Sequence, residues 1–251
     1  MGPPSAKCRL DRLLVERGLA SSLEKARALI YAGAVLVDQR SVTKPGKAVD
    51  PSGFLSLKQA EHPYVSRGGV KLAHALDHFG ISVRGRKALD IGASTGGFTH
   101  CLLLRGIETV WAVDVGYGQL AWALRQDPRV RVLERTNARY LAPADIGPQV
   151  DLAVIDASFI SLKLLIPALL PLLKPRGEML ALVKPQFEVG RGQVGKGGVV
   201  RREEDRLLAV QDLAAYFEGL GLVVSEPTAS PILGAKGNQE FFLYLQKKKD
   251  L

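Results

Sequence analysis

Two cysteines in 251 residues provide no disulfide framework. Cys8 and Cys101 lie far apart in the chain and fit no zinc spacing, so a reducing compartment is expected. Long hydrophobic runs are missing too. The most apolar stretch, Leu164–Leu173, holds Pro167 and Pro171 and is bounded by Lys163 and Lys174. A spanning helix needs ~20 apolar residues, so no membrane crossing is expected. The opening Met-Gly-Pro-Pro-Ser has no apolar segment behind a basic start, so no secretion signal and a cytoplasmic location are expected. There are only four histidines. His74 and His78 are four apart on a helix but have no third ligand in view, so no metal site is expected.

What is present is a core and a surplus of positive charge. Apolar residues make up 47% of the chain, enough for a full interior. Lys and Arg number 34 against 25 Asp and Glu, a formal charge of +9 that suits a polyanionic partner. The first sixty residues carry ten of the cations and five of the anions. Over half of the excess therefore lies in the first quarter of the chain.

That first quarter reads as a small α+β unit. Leu10, Leu13 and Leu14 recur at helical spacing and Gly18 stops the helix. Ser21 or Ser22 caps a second helix, with Ala26, Leu29 and Ile30 on its apolar face and Gly33 at its end. Val35 and Val37 alternate as a strand, Lys44-Pro45-Gly46 turns the chain, and Phe54, Leu55 and Leu57 add a further strand. Near Glu61–Val65 the pattern breaks at His62-Pro63. The expected organisation is a first domain over 1–60, a linker over 61–66 and a second domain over 67–251.

The second domain opens with a helix at Gly69–Phe79 and then alternates strand and helix. Strands are expected at Lys87–Ile91, Thr109–Val113, Val130–Leu133, Leu152–Ile155, Met179–Val183, Leu222–Ser225 and Phe241–Gln246, with the clearest helix at Glu203–Glu218. Runs such as Leu152–Ile155 are apolar on both faces, as buried parallel strands are. The fold class is α/β, an open sheet. Glu188–Gly198, rich in Gly and basic residues, reads as a mobile loop.

Open α/β sheets bind ligands outside the carboxyl ends of their strands. There the sequence places Asp90-Ile91-Gly92-Ala93-Ser94-Thr95-Gly96-Gly97-Phe98-Thr99 between a strand and a helix. The glycine spacing is not the Gly-x-Gly-x-x-Gly of dinucleotide sites. The next strand ends at Asp114, the third is followed by Asn137, and two more strand ends carry Asp156 and Lys184. Adjacent parallel strands would bring Asp156 and Lys184 together, as a structural ion pair or as a reactive one.

These residues resemble known families. Arg9-Leu10-Asp11, Ser22, Lys25-Ala26-Arg27, Ile30, Gly33 and Val35-Leu36-Val37 resemble the S-four-type RNA-binding domain. The resemblance implies RNA contacts at Arg9, Arg12, Arg17, Lys25 and Arg27. The Asp90–Thr99 turn resembles the first motif of Rossmann-like methyltransferases. That implies S-adenosylmethionine held by Asp90, Gly92, Ala93, Ser94, Thr95, Gly96, Gly97, Phe98 and Thr99, with Asp114 on its ribose, Asn137 near its adenine and Asp156 beside it. Across nearly the whole chain, blocks such as Ser66–Leu72, Asp156–Leu162, Val183–Glu188 and Gly237–Phe242 resemble the TlyA family, also called hemolysin A-like.

Members of that family resemble FtsJ-type ribose methyltransferases with a Lys-Asp-Lys-Glu tetrad, which falls here on Lys71, Asp156, Lys184 and Glu240. The implied reaction is cytidine 2′-O-methylation of ribosomal RNA, with ribosomal subunits as partners and Arg67 a further RNA contact. The short C-terminus implies the branch that acts on the large subunit, with the small subunit a second target. In this reading Lys184 takes or stabilises the hydroxyl proton, Asp156 orients it, and Lys71 and Glu240 complete the network. Phe98, Phe159, Phe187, Trp111 and Trp122 are expected in the core, with Phe187 the best placed to touch a base. Two alternatives stand beside this reading: a membrane-acting cytolysin, as the family name implies, and an RNA-binding protein with a dead catalytic fold.

Overall fold

The computed structural model describes residues 7–57, 62–234 and 236–248. Met1–Ser5, Glu61 of the expected linker and the chain end at 249–251 lie outside the described residues. The chain divides into two units, Met1–Pro63 and Tyr64–Leu251. Tyr64, Val65 and Ser66, expected in the linker, fall in the second unit. Val65 N–H donates to His100 Nδ1 at 3.1 Å.

In the first unit β1 (Cys8–Arg9) leads into α1 (Leu10–Glu16), followed by α2 (Leu23–Tyr31). Ser22 is the α2 cap, its side chain accepting the Lys25 N–H. Then come β2 (Val35–Val37), β3 (Arg40–Ser41), β4 (Ala48–Val49) and β5 (Leu55–Leu57). β1 pairs with β4, and β2 lies between β3 and β5, all antiparallel. Leu10, Leu14, Ala26, Ile30 and Val35 form a small sealed core. Asp11 is buried beside it and accepts from Arg9 at 3.0 and 2.8 Å and from Arg27 at 3.3 Å. The bonded Arg9 guanidinium, helped by Arg27, holds the Asp11 carboxyl far below the usual carboxylate range against the opposing effect of burial.

The second unit starts with α3 (Gly68–His78) and continues through β6 (Lys87–Ile91), α4 (Gly97–Leu104), β7 (Thr109–Val113), α5 (Trp122–Arg125), β8 (Val130–Leu133), α6 (Pro143–Ile146) and β9 (Val150–Ile155). It ends with α7 (Leu162–Leu169), β10 (Leu173–Val183), α8 (Glu203–Gly219), β11 (Val223–Val224), β12 (Thr228–Ala229) and β13 (Phe241–Gln246). The sheet runs β11-β13-β10-β9-β6-β7-β8, with β12 also on β13. β10, β9, β6, β7 and β8 are mutually parallel, and β13 is antiparallel to β10 and β11.

Strand alternation divides the interior in two. Leu89 and Ile91 face α7 and α8, while Ala88, Leu152 and Val154 face α3 and α4. Among the described residues no helix is long and apolar enough to cross a membrane.

Two aromatic expectations fail. Trp122 is 74% exposed and Phe159 is 91% exposed, whereas Trp111 and Phe98 are buried as expected. Trp122 opens a helix of only four residues, too short to bury a full face. Phe159 sits in a left-handed turn, φ +65°, that carries its ring outward. The Glu188–Gly198 loop, expected to be mobile, is tied down by hydrogen bonds. Glu188 accepts from Ser161 and Leu162, Gln193 donates to Asp205, and the buried Asn238 bonds both Val200 N–H and the Gly198 carbonyl.

Candidate active site

The chain leaves β6 toward β7 and β8 on one side and returns to β9 on the other. The order therefore reverses between β6 and β9, and a crevice opens at their carboxyl ends. Gly92 follows β6 there with φ +84°. A Cβ on Gly92 would stand 2.7 Å from the Asp156 carbonyl oxygen, so only glycine lets the two strand ends touch. Asp156 N–H closes the contact on the Ile91 carbonyl at 2.9 Å. One turn on, a Cβ on Gly97 would stand 3.0 Å from Gly69 N and 3.2 Å from Gly68 Cα. Gly97 thus lets the amino ends of α3 and α4 press together, and α3 carries Lys71 to the crevice.

Two adjoining cavities occupy this edge. The smaller, about 330 Å³, is lined by Gly92, Ser94, Asp114, Gln119, Asn137 and Asp156, among others. Asp114 accepts from Ser94 N–H and Gly116 N–H, each at 2.7 Å, one on each carboxylate oxygen. An ionised carboxylate has about four lone-pair sites, so two remain for a ligand. Asn137 Oδ1 accepts from Arg139 N–H at 3.1 Å.

The larger cavity, about 570 Å³, carries the charge. Lys71, Asp156, Lys184 and Glu240 all line it. Lys184 Nζ lies 2.7 Å from Asp156 Oδ1 and donates to Ser158 Oγ at 2.7 Å and to the Asp156 carbonyl at 3.3 Å. Lys71 Nζ meets Glu240 Oε2 at 2.5 Å, with both side chains buried. Neighbouring parallel strands produce the first pair. The second joins α3 to the residue just before β13. Arg67, Phe159 and Phe187 also line this cavity, and the two rings tilt against each other at 5.1 Å.

Of the expected cofactor residues, Gly92, Ala93, Ser94, Thr95, Gly97 and Phe98 line the larger cavity, and Asp114 and Asn137 the smaller. Asp90, Gly96 and Thr99 do not line either. Alternation along β6 turns Asp90 toward α4, where Thr99 Oγ1 donates to it at 2.6 Å. Both side chains are fully buried, and the second Asp90 oxygen has no partner among the described residues. Burial pushes the Asp90 carboxyl up to about 7, opposed by the Thr99 hydroxyl and aided by the charges of Asp156 and Asp114. At Gly96 a side chain would run into Leu120 and Leu124, so this glycine serves packing.

Arg9, Arg12, Arg17, Lys25 and Arg27 are exposed in the first unit, and Arg17 donates to the Pro51 and Gly53 carbonyls. His74 and His78 stack at 6.1 Å, and no group of three metal-binding side chains exists among the described residues. Ser158, Gln186 and Gln119 also line the cavities, and the sequence alone marks none of them. Ser158 and Gln186 each lie two residues from a charged site residue, Asp156 and Lys184, and that proximity is the available signal.

The FtsJ-like methyltransferase family model matches residues 64–247 and the S4 domain model residues 8–54. The 16S/23S rRNA (cytidine-2′-O)-methyltransferase TlyA of Mycobacterium tuberculosis is 51% identical over 97% of this chain and 91% of its own length. The 23S rRNA (cytidine-2′-O)-methyltransferase TlyA of Campylobacter jejuni is 35% identical over 77% of this chain and 75% of its own length. A solved structure named "Putative hemolysin from Streptococcus thermophilus" has a TM-score of 0.76 at 43% identity, covering 97% of this chain and 89% of that one.

Proposed function

We propose a function from one premise: the chain belongs to the FtsJ-like methyltransferase family. It transfers a methyl group from S-adenosylmethionine to the ribose 2′-hydroxyl of a cytidine in ribosomal RNA. The observation that carries this reading is the pair of lysine–carboxylate contacts, Lys184–Asp156 and Lys71–Glu240, on one cavity beside a glycine turn. The cytolysin alternative is not favoured, because a relative sharing half of this sequence is named for rRNA methylation.

The residues fit the cofactor. Gly92 leaves no Cβ at the crevice, and Asp114 keeps lone pairs for a ribose diol. Asn137 lines the smaller cavity, where an adenine would lie. Bound S-adenosylmethionine supplies an electrophilic methyl carbon on a sulfonium. The residues of this chain then align the acceptor oxygen, which is largely a positioning task.

Lys184 Nζ donates to Ser158 Oγ and to the Asp156 carbonyl and lies at ion-pair distance from Asp156 Oδ1. An entering ribose hydroxyl replaces Ser158 Oγ, the neutral acceptor on the cavity wall. Once Nζ has given one proton to solvent, the neutral amine takes the hydroxyl proton as the oxygen bonds to carbon. If it stays an ammonium, it instead donates to the developing oxyanion while that proton leaves to water, and Asp156 holds Nζ in place in either case. Lys71 and Glu240 complete the network. Phe159 and Phe187 offer ring faces to a base near that ribose. Arg67 meets RNA at the cavity. Arg9, Arg12, Arg17, Lys25 and Arg27 meet its phosphates on the first unit, with Asp11 fixing Arg9 and Arg27. Since ribosomal subunits are the substrate, the site of action is the cytoplasm.

The test is transfer of labelled methyl groups to unmodified large and small subunits offered separately, with the product nucleotide mapped. Label on a cytidine ribose of the large subunit is expected, with the small subunit as second target. Lys184→Ala should abolish transfer and leave S-adenosylhomocysteine binding within about threefold of wild type, since the residue lines the acceptor side rather than the smaller cavity. No label in either subunit would refute the proposal.

A further inference from the structure

The loop after β9, residues 156–161, and the segment after β10, residues 184–188, are joined twice. At the near end Lys184 Nζ holds Asp156 and Ser158. At the far end Glu188 uses both of its oxygens: Oε2 accepts the Ser161 hydroxyl at 2.6 Å and Oε1 the Leu162 N–H at 2.9 Å. Ser161 is itself the cap of α7, its Oγ accepting Lys163 N–H at 3.2 Å. One carboxylate thus fastens a helix start and the end of the β9 loop to the β10 segment. Between the two joints lies Phe159 at φ +65°, a conformation that a bulky residue keeps only when its surroundings impose it. Its ring rests against Phe187, one residue before Glu188. Glu188 is not on the wall of either cavity, and burial pushes its carboxyl above the usual range, so this anchoring comes at a solvation cost.

We infer that Glu188 is a positioning residue for methyl transfer: its clasp on Ser161 and Leu162 holds the Asp156–Ser161 loop against Lys184 and Phe187, so that the acceptor side of the site is assembled before RNA arrives. The inference rests on the transfer reading above. The clasped loop gives the smaller cavity part of its wall, Asp156–Ile160, but the polar groups offered to the cofactor at Ser94 and Asp114 stand on the β6 and β7 ends, so cofactor affinity depends on the clasp far less than transfer does. Glu188 acts through Lys184, Ser158 and Phe159 and touches no reacting atom.

Three single variants, Glu188→Ala, Glu188→Gln and Ser161→Ala, and one double variant test it on the full chain. Misplacement by about 1 Å costs about a hundredfold in rate, so Glu188→Ala should slow single-turnover transfer by about tenfold to a hundredfold. S-adenosylhomocysteine affinity should stay within about twofold. Glu188→Gln keeps an acceptor for Leu162 N–H and should recover most of the rate. Ser161→Ala, the gentler change, should slow transfer, and Ser161→Ala/Glu188→Ala should be no slower than the worse single variant, because both remove one joint.

Amide hydrogen exchange gives a readout free of activity: protection over 157–162 should fall in Glu188→Ala, while protection at 91–97 holds. A normal transfer rate with only a lower melting temperature would show a purely structural role and overturn the inference. Loss of cofactor affinity in step with rate would overturn it too. Should the wild type methylate no RNA, the transfer reading fails on its own. The clasp is then judged by exchange, and unchanged protection over 157–162 refutes it.

Discussion

Lys71 and Glu240 are separated by most of the second unit in sequence and meet at 2.5 Å, with side chains only 11% and 4% exposed. Lys71→Met leaves the Glu240 carboxylate buried without its cation. Breaking a buried pair from one side costs about 3–5 kcal/mol. For a unit of this size, 1 kcal/mol moves the melting temperature by about 2–4 °C, so a fall of roughly 6–20 °C is expected. Glu240→Leu should fall by a similar amount.

The double variant Lys71→Met/Glu240→Leu removes both charges and fills the space with apolar atoms. It should return to within about 1 kcal/mol of wild type, because exchanging a whole buried pair for hydrocarbon is often neutral or stabilising. None of the three should methylate RNA. Differential scanning calorimetry gives the stabilities, and labelled-methyl transfer gives the activity. A double variant as unstable as the single ones would show that the pair is not the source of the loss. Transfer at a normal rate by any of the three would remove Lys71 and Glu240 from the chemistry.

Asp90, pushed by burial up to about 7 from an ordinary 3.8, binds its proton more tightly in the folded chain. Its contribution to stability is therefore full below about pH 4 and lost as pH rises through about 7. Thermal melts should show wild type losing stability relative to Asp90→Asn across that window, and a constant difference would contradict the burial argument. Gly92→Ala combines φ +84° with a Cβ 2.7 Å from the Asp156 carbonyl. The left-handed backbone alone costs about 1–2 kcal/mol, so melting should drop and calorimetric titration should show cofactor affinity falling at least tenfold. Arg12→Ala should weaken RNA binding, lower the salt slope by about one counterion and leave cofactor affinity unchanged, as measured by filter binding across salt.

The expected bounds of β6, β7, β8 and β13 coincide with those observed, because short apolar runs between glycine and polar turns admit few other placements. Lys184 beside Asp156 was also legible, since neighbouring parallel strands end on the same edge. Lys71 opposite Glu240 was not legible from the residues themselves. The pair joins α3 to the residue before β13, far apart in sequence, and only resemblance puts the two in one site.

Asp90 turns toward α4 and lines neither cavity, because its neighbours in β6 alternate and the motif alone does not say which face meets the crevice. Phe159 and Trp122 were misread because an aromatic side chain in an apolar-rich sequence defaults to the core, and only backbone geometry shows the exception. Glu188 and Asn238 are long-range polar anchors to backbone groups, and no periodicity in the sequence marks them.

The position of β13 orders events during synthesis. It follows every other strand of the described residues, yet it lies between β10 and β11 rather than at an edge. A nascent chain that has emerged only as far as β12 leaves the eleven-residue β10 as an open edge, with backbone groups unpaired and able to capture another strand. It also lacks Glu240. Sheet closure and charge pairing therefore come together, once β13 has emerged, so a chain stalled or clipped before that point is both inert and adhesive.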